Sequence, residues 1–379
     1  MKALRIVALI FILANVVNYP QARANTKVIV SNQLVTSQLV AAGDNTLPTI
    51  TKNALFYYQQ GNQRYHKGDK LGAIEDYNQA LKLKPDFAEV YYNRGIARAE
   101  LGDKKGAIED FNQALRINSE YGAAYNNRGN VRRESGDVKG AIADYNQALR
   151  LNPNDAETYN NRGIAYYNLG DIKAAVTDYD QALKLNPKLA EVYLNRGNAR
   201  ANLEDMKGAI EDYDQALKLN PRDYQAYYNR GLTRRELGDM LGAIADYTQA
   251  LQISPNFVDA YNNRGTTHLR MGDKKAAIAD FTRALQQNPN FAEAYYNRGT
   301  ARADMGNKKG AIQDFSKALQ INPNLAQAYG NRGVAHFQLG DQDNAIADLQ
   351  KAAQIFRQQG LPEMSQRALE IINKYRSGK

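Results

Sequence analysis

The tripeptide Asn-Arg-Gly recurs at 93–95, 127–129, 161–163, 195–197, 229–231, 263–265, 297–299 and 331–333, always 34 residues apart. Gln59-Gln60-Gly61 stands one period earlier in the same register. A fixed period of this length describes a stack of equivalent two-helix units, each burying its apolar face against its neighbours. Function is therefore to be sought on a surface that repeats, not in a single pocket.

The period predicts nine units: 54–87, 88–121, 122–155, 156–189, 190–223, 224–257, 258–291, 292–325 and 326–359. Counting Ala88 as position 1 of the second unit, position 4 is Tyr in all nine, from Tyr57 to Tyr329. Position 8 is always Gly, positions 20 and 27 are always Ala, and position 24 is aromatic except for Leu349. Spacings of four and three place these residues on one face of each of two helices. Large rings at 4 and 24 then meet small residues at 8, 20 and 27, which lets the helices approach closely. Between the helices stands Gly-Asp, as in Gly102-Asp103: a left-handed helix end followed by a helix cap. Asn-Pro, as in Asn152-Pro153, closes most units. Glu204 replaces the loop Gly in the fifth unit, and Ser119 and Arg357 replace Pro in the second and ninth.

Tyr at 4, Gly at 8, Ala at 20, an aromatic at 24, Ala at 27 and Pro at 32 resemble the tetratricopeptide repeat (TPR) family over residues 54–359. The resemblance implies an all-α, right-handed superhelical solenoid with a concave groove that binds peptides or protein segments. The Asn-Arg-Gly style also resembles long arrays of photosynthetic bacteria, some exported members of which assist photosystem assembly. The family's carboxylate-clamp specificity is not implied. Its Asn survives at Asn62, Asn130 and Asn198, but position 5 has no Lys, position 2 is largely acidic and position 6 is Asn.

The flanks read differently. Lys2 and Arg5 precede an apolar run, 6–17, and Ala22-Arg23-Ala24 offers a signal-peptidase site. Such a run covers roughly 18 Å, short of a ~30 Å hydrocarbon core. Residues 1–24 are expected to be a signal peptide cleaved after Ala24, exporting the protein to the periplasm or another extracytoplasmic compartment. Residues 25–53 match no unit and read as a flexible spacer. Residues 360–379 place Met364, Ala368, Ile371, Ile372 and Tyr375 on one helical face, as a capping helix requires. Cleavage would lower the net charge of +9 by three units, a balance too mild to argue for nucleic acid.

Catalysis finds no support. Cysteine is absent, and of the three histidines His268 and His336 occupy one template position two units apart. No phosphate loop or nucleophile elbow is present, and no cofactor is implied.

Two polar columns remain. Position 7 is Arg in units two to nine, and position 23 is Asp in all nine, from Asp76 to Asp348. An Arg bordering the packing face needs a counter-charge, so each is expected to meet Asp of its own or the preceding unit. Position 6 is Asn93, Asn127, Asn161, Asn195, Asn229, Asn263, Asn297 and Asn331. A carboxamide both donates and accepts, so this column either hydrogen-bonds an extended peptide backbone or bonds the backbone of the neighbouring unit. Asparagines in O-GlcNAc transferase TPR units resemble it in the first role.

Family lining positions carried onto this chain add Glu89, Glu157, Glu191, Asp259 and Glu293 at position 2, and Tyr58, Tyr92, Tyr228 and Tyr296 at position 5. Position 12 adds Tyr65, Arg133, Tyr167, Arg235 and Phe337; position 13 adds Glu100, Glu134, Glu236 and Asp304 beside His66 and Arg270. The groove is thus expected to be net acidic, with lysines such as Lys104, Lys274 and Lys308 on the solvated edge. The chain is expected to be a non-catalytic scaffold holding extended segments of partner proteins, serving assembly or maturation of a membrane or envelope complex. Any membrane contact is expected to be peripheral. Two alternatives stand beside it: divalent-metal delivery or storage through groove carboxylates, and self-association of an open-ended stack.

Overall fold

The computed structural model describes residues 49–377, so the signal-peptide expectation and nearly all of the expected spacer lie outside the described residues. The described residues are helical, with no strand among them. The first helices of the nine units are α1 (Thr49–His66), α3 (Ala88–Glu100), α5 (Gly122–Glu134), α7 (Ala156–Leu169), α9 (Ala190–Asn202), α11 (Tyr224–Glu236), α13 (Val258–Arg270), α15 (Ala292–Asp304) and α17 (Ala326–Phe337). The second helices are α2 (Lys70–Leu83), α4 (Lys104–Ile117), α6 (Val138–Leu151), α8 (Ile172–Leu185), α10 (Met206–Leu219), α12 (Met240–Ile253), α14 (Lys274–Gln287), α16 (Lys308–Ile321) and α18 (Gln342–Gln358). A last helix, α19 (Pro362–Arg376), follows. α1 begins at Thr49, inside the segment read as spacer.

Each second helix turns the same four positions inward. In α8 these are Ala175, Tyr179, Ala182 and Leu183, all buried. The position-8 glycine admits the ring: a Cβ on Gly163 would lie 2.6 Å from Tyr179 Cε1, and one on Gly95 2.8 Å from Phe111 Cε1. Real Cβ atoms do not approach so closely, which explains why this column is Gly throughout.

The turns are built locally. Asp103, Asp137, Asp171 and Asp273 accept a hydrogen bond from the backbone N–H three residues on, capping α4, α6, α8 and α14. The Gly before each cap is left-handed, and Glu204 adopts the same region at φ 64°, a conformation unfavourable for a residue bearing a Cβ. Asn rather than Pro ends the second helices. Asn118, Asn152, Asn186 and Asn288 accept from the N–H two residues on, so α4 stops at Ile117 although Ser119 stands in the Pro place. The ninth unit has Phe356-Arg357 there, and α18 runs on to Gln358.

The described chain forms two compact units, 49–219 and 220–377. In each, a first helix packs on its own second helix, and that second helix packs on the next first helix. First helices also touch in sequence, α1 to α3, α5, α7 and α9 in one unit and α11 to α13, α15 and α17 in the other. Second helices show no comparable packing on one another among the described residues. The first helices therefore form one continuous face in each unit. In the second unit α19 covers α18, burying Ala368, Ile372 and Tyr375, with the Tyr375 ring stacked 3.4 Å from Phe337.

Candidate functional site

The Arg and Asp columns form a repeated ion pair. Arg94 donates from Nε to Asp110 Oδ2 at 2.9 Å and from Nη2 to Oδ1 at 2.6 Å, and lies over the Tyr91 ring at 5.3 Å. Its third nitrogen donates to Asn78 of the preceding unit at 2.5 Å. The same arrangement recurs through Arg332–Asp348. Each pair lies within one unit, and the tie to the preceding unit runs through position 25 instead: Asn112, Asn146, Asp180, Thr248, Thr282 or Ser316. A bidentate guanidinium–carboxylate pair at this depth is structural. Burial nevertheless holds the Asp178 and Asp212 carboxyls above the usual carboxylate range, with the arginines pulling the other way.

A second arginine joins many of these carboxylates. Arg98, Arg132, Arg200, Arg234 and Arg302 reach Asp110, Asp144, Asp212, Asp246 and Asp314 at 2.8–3.0 Å. The sequence reading missed this column, although arginines recurring at position 11, one helical turn after position 7, were its signal.

The asparagine column crosses between repeats by side chains. Asn93, Asn127, Asn263 and Asn331 donate to the hydroxyls of Tyr58, Tyr92, Tyr228 and Tyr296 at 2.8–3.2 Å. Asn161, Asn195 and Asn297 donate to Asn126, Asn160 and Asn262 at 3.1–3.2 Å. Each bond joins position 6 to position 5 of the unit before. Asn127, Asn161, Asn195 and Asn229 are buried, and Asn93, Asn263, Asn297 and Asn331 are half-buried. This corrects the expectation of a backbone-reading ladder for the buried four: neighbouring helices cover them, so a peptide laid on the face does not reach them. Tyr92, Tyr167 and Tyr296 are buried as well, so they brace the seam and are not open anchors; Tyr228 is half-buried.

The acids at position 2 lie closer to solvent. Glu157 and Asp259 are exposed, while Glu89, Glu191 and Glu293 are half-buried. Glu293 accepts from Asn262 at 3.1 Å. All five stand in the first turn of their helices, where the helix dipole favours a carboxylate. The position-13 acids depart from expectation. Lys70 pairs with Glu100 at 3.0 Å and Lys104 with Glu134 at 3.7 Å, while Lys274 Nζ donates to the Asp304 carbonyl at 2.9 Å. Edge lysines therefore bind the next first helix, and the acidity of the face resides at position 2. Among the described residues no three His, Asp or Glu side chains converge to hold a metal ion, which removes the geometric support for metal delivery.

Within the first-helix face, Tyr77, Tyr145 and Tyr213 donate to Asn62, Asn130 and Asn198 at 2.7–2.9 Å. These three asparagines hold the ring of position 24 and are not remnants of a clamp.

Family models for the TPR repeat match residues 61–102 and 129–170, those for the tetratricopeptide repeat match 88–121, 156–189, 258–291, 292–325 and 326–359, and a further one matches 194–256. The chain belongs to the tetratricopeptide repeat family. A TPR protein from Parabacteroides merdae is 23% identical with a TM-score of 0.50, covering 65% of this chain and 98% of its own. The C-terminal part of a TPR protein from Cytophaga hutchinsonii is 18% identical with a TM-score of 0.52, covering 63% and 98%. MamA is 30% identical over 42% of this chain and 94% of its own, with a TM-score of 0.41. No curated protein matches the sequence. The two structures with TM-scores of 0.50 and 0.52 share the all-helical TPR solenoid, and the family implies protein partners.

Proposed function

We propose that this TPR protein is a non-catalytic scaffold that seats extended polypeptide segments along the first-helix face. One observation carries this reading: the first helices pack in sequence within each unit, and five of the nine hold a carboxylate in their first turn. Glu89, Glu157 and Glu191 mark the face in one unit, Asp259 and Glu293 in the other. Such a column favours a segment with basic side chains, recognised by rim charges and read one repeat at a time.

The proposal extends to export through residues 1–24 and to service in assembling or maturing a membrane or envelope complex, a photosystem being one candidate by family style. No helix of the described residues is long and apolar enough to cross a membrane. Capture of partners from a membrane extract tests the reading. Glu89→Lys/Glu157→Lys/Glu191→Lys is expected to lose captured partners while keeping its helicity. Unchanged capture would move the binding surface off this face, and an uncleaved N-terminus on the secreted protein would refute export with cleavage.

A further inference from the structure

Two arginines in the described chain break the ion-pair rule. Arg133 and Arg235, the position-12 arginines, are only 8% and 2% exposed, yet neither has a carboxylate within ion-pair distance. Their neighbours at positions 7 and 11 do: Arg128 and Arg132 share Asp144, and Arg230 and Arg234 share Asp246. Arg133 touches Tyr145 Oη from Nε at 3.4 Å, and its buried Nη2 has no hydrogen-bond partner among the described residues. Arg235 donates from Nη1 to Asn263 at 2.7 Å, while its buried Nε is unpartnered. A guanidinium taken out of water without a counter-charge is strongly disfavoured.

Around Arg133 the seam buries several unpaired polar atoms, one of them an acceptor, Asn127 Oδ1. Tyr179 Oη, in the next unit, is buried without a partner because Ile164 stands where three other units place an asparagine. Asn126 Nδ2 is likewise buried and unpaired. The contact of Arg133 is with the Tyr145 hydroxyl of its own repeat. Glu134, next in sequence, turns to Lys104 instead. The seam thus presents a cation with no paired carboxylate, together with neutral donors and one neutral acceptor. Water would supply an acceptor but no charge.

We propose that Arg133, on the α5–α7 seam, is a receptor for a carboxylate of the bound segment, and that Arg235 plays the same part on α11. The inference rests on the first-helix face being the ligand face, and names what reaches below its rim. The planar two-oxygen carboxylate matches the guanidinium fork. It comes from a chain end or from an Asp or Glu side chain. A partner with basic residues along the rim and one acid inserted between helices would satisfy both layers.

The test needs no natural partner. Full-length mature protein labelled with 15N-arginine is titrated with N-acetylglycine (a chain-end carboxylate), N-acetylaspartic acid α-amide (a side-chain carboxylate) and neutral N-acetylglycinamide, at constant ionic strength in chloride. Arg133→Met and Arg235→Met assign the two Nε–H signals. Saturable shifts of these signals with a carboxylate but not with the amide are expected, and whichever carboxylate binds tighter identifies the source. Arg94 and Arg298 are expected not to respond. Arg133→Met is expected to weaken carboxylate binding in its own unit about tenfold, as loss of one charged hydrogen bond implies, and to leave the melting temperature unchanged or higher. Should Arg133→Met not fold, the wild-type titration decides alone. Wild-type signals that ignore both carboxylates, or follow the amide equally, overturn the proposal. Capture lost in the glutamate variants with no carboxylate shift would leave the scaffold reading standing and remove this one.

Discussion

The seams of units three to five and of units seven to nine use one template with different polar chemistry. In the former, α5, α7 and α9 bury Asn126, Asn127, Asn130, Asn160, Asn161, Asn195 and Asn198. Position 24 there is Tyr145, Tyr179 and Tyr213. In the latter, position 24 is Phe281, Phe315 or Leu349, and position 9 is Thr266, Thr300 or Val334. Those threonines bond back to their own helix, to the carbonyls of Asn262 and Tyr296 at 2.8 and 3.0 Å. A ring hydroxyl and an asparagine thus appear together or are both absent, as unpaired buried polar groups are costly. Unit four alone in these two stretches keeps the hydroxyl and drops the asparagine. That exception falls in the repeat that follows Arg133.

The comparison can be broken most decisively at the ion pairs. Asp144→Ala strands Arg128 and Arg132 and is expected to cost about 3–5 kcal/mol, measured by urea unfolding followed by circular dichroism. Asp280→Ala strands only Arg264, with His268 at 3.9 Å, and is expected to cost less. Equal losses would show that the second arginine adds nothing. Next comes Asn130→Ala, expected to cost about 1–3 kcal/mol by leaving the Tyr145 hydroxyl without its acceptor. Thr300→Ala, on the other seam, is expected to stay within about 0.5 kcal/mol.

Smaller still is the contrast between Tyr145→Phe, expected to cost about 1 kcal/mol, and Tyr179→Phe, expected to be neutral or stabilising. A loss on Tyr179→Phe as large as on Tyr145→Phe would mean that the orphan hydroxyl has a partner and that the contrast is false. The last effect is on alkaline stability. Burial pushes the Tyr145 phenol up to about 12, above its unfolded value. Unfolded chain then loses the proton first, so the stabilisation is complete below pH 10 and is lost as pH rises from 10 toward 12. Absorbance titration is expected to show the Tyr145 phenol ionising only with unfolding. Tyr145→Phe removes its part of that loss.

Much of this architecture is legible in residues that repeat. The 34-residue period, the Gly column facing a ring and the Gly-Asp turn specify helix pairs because each rests on local sterics or on contacts within one unit. The Arg–Asp column was readable for the same reason: a charge beside a packing face needs a partner. Depth was not readable. A helical wheel assigns Asn195 to the inward side of its helix, but whether it lines a groove or is sealed depends on how closely adjacent first helices approach. They approach closely enough to seal it, so a double substitution of Asn195 and Asn229 probes stability rather than recognition. The partners of the edge lysines were not readable either, because Lys104, on the solvated edge, meets a residue 30 positions on, beyond any local pattern.

The seam between first helices also has a mechanical meaning. Hydrogen bonds from position 6 to the preceding position 5 tie one edge of the repeats within each compact unit, while among the described residues second helices show no comparable packing on one another. Stiffness is thereby concentrated along one rail in each compact unit. Tension opens the free edge first, and the rail lengthens only when amide bonds between repeats give way. A segment lying on the rail is gripped at a spacing that bending of the outer edge leaves nearly constant.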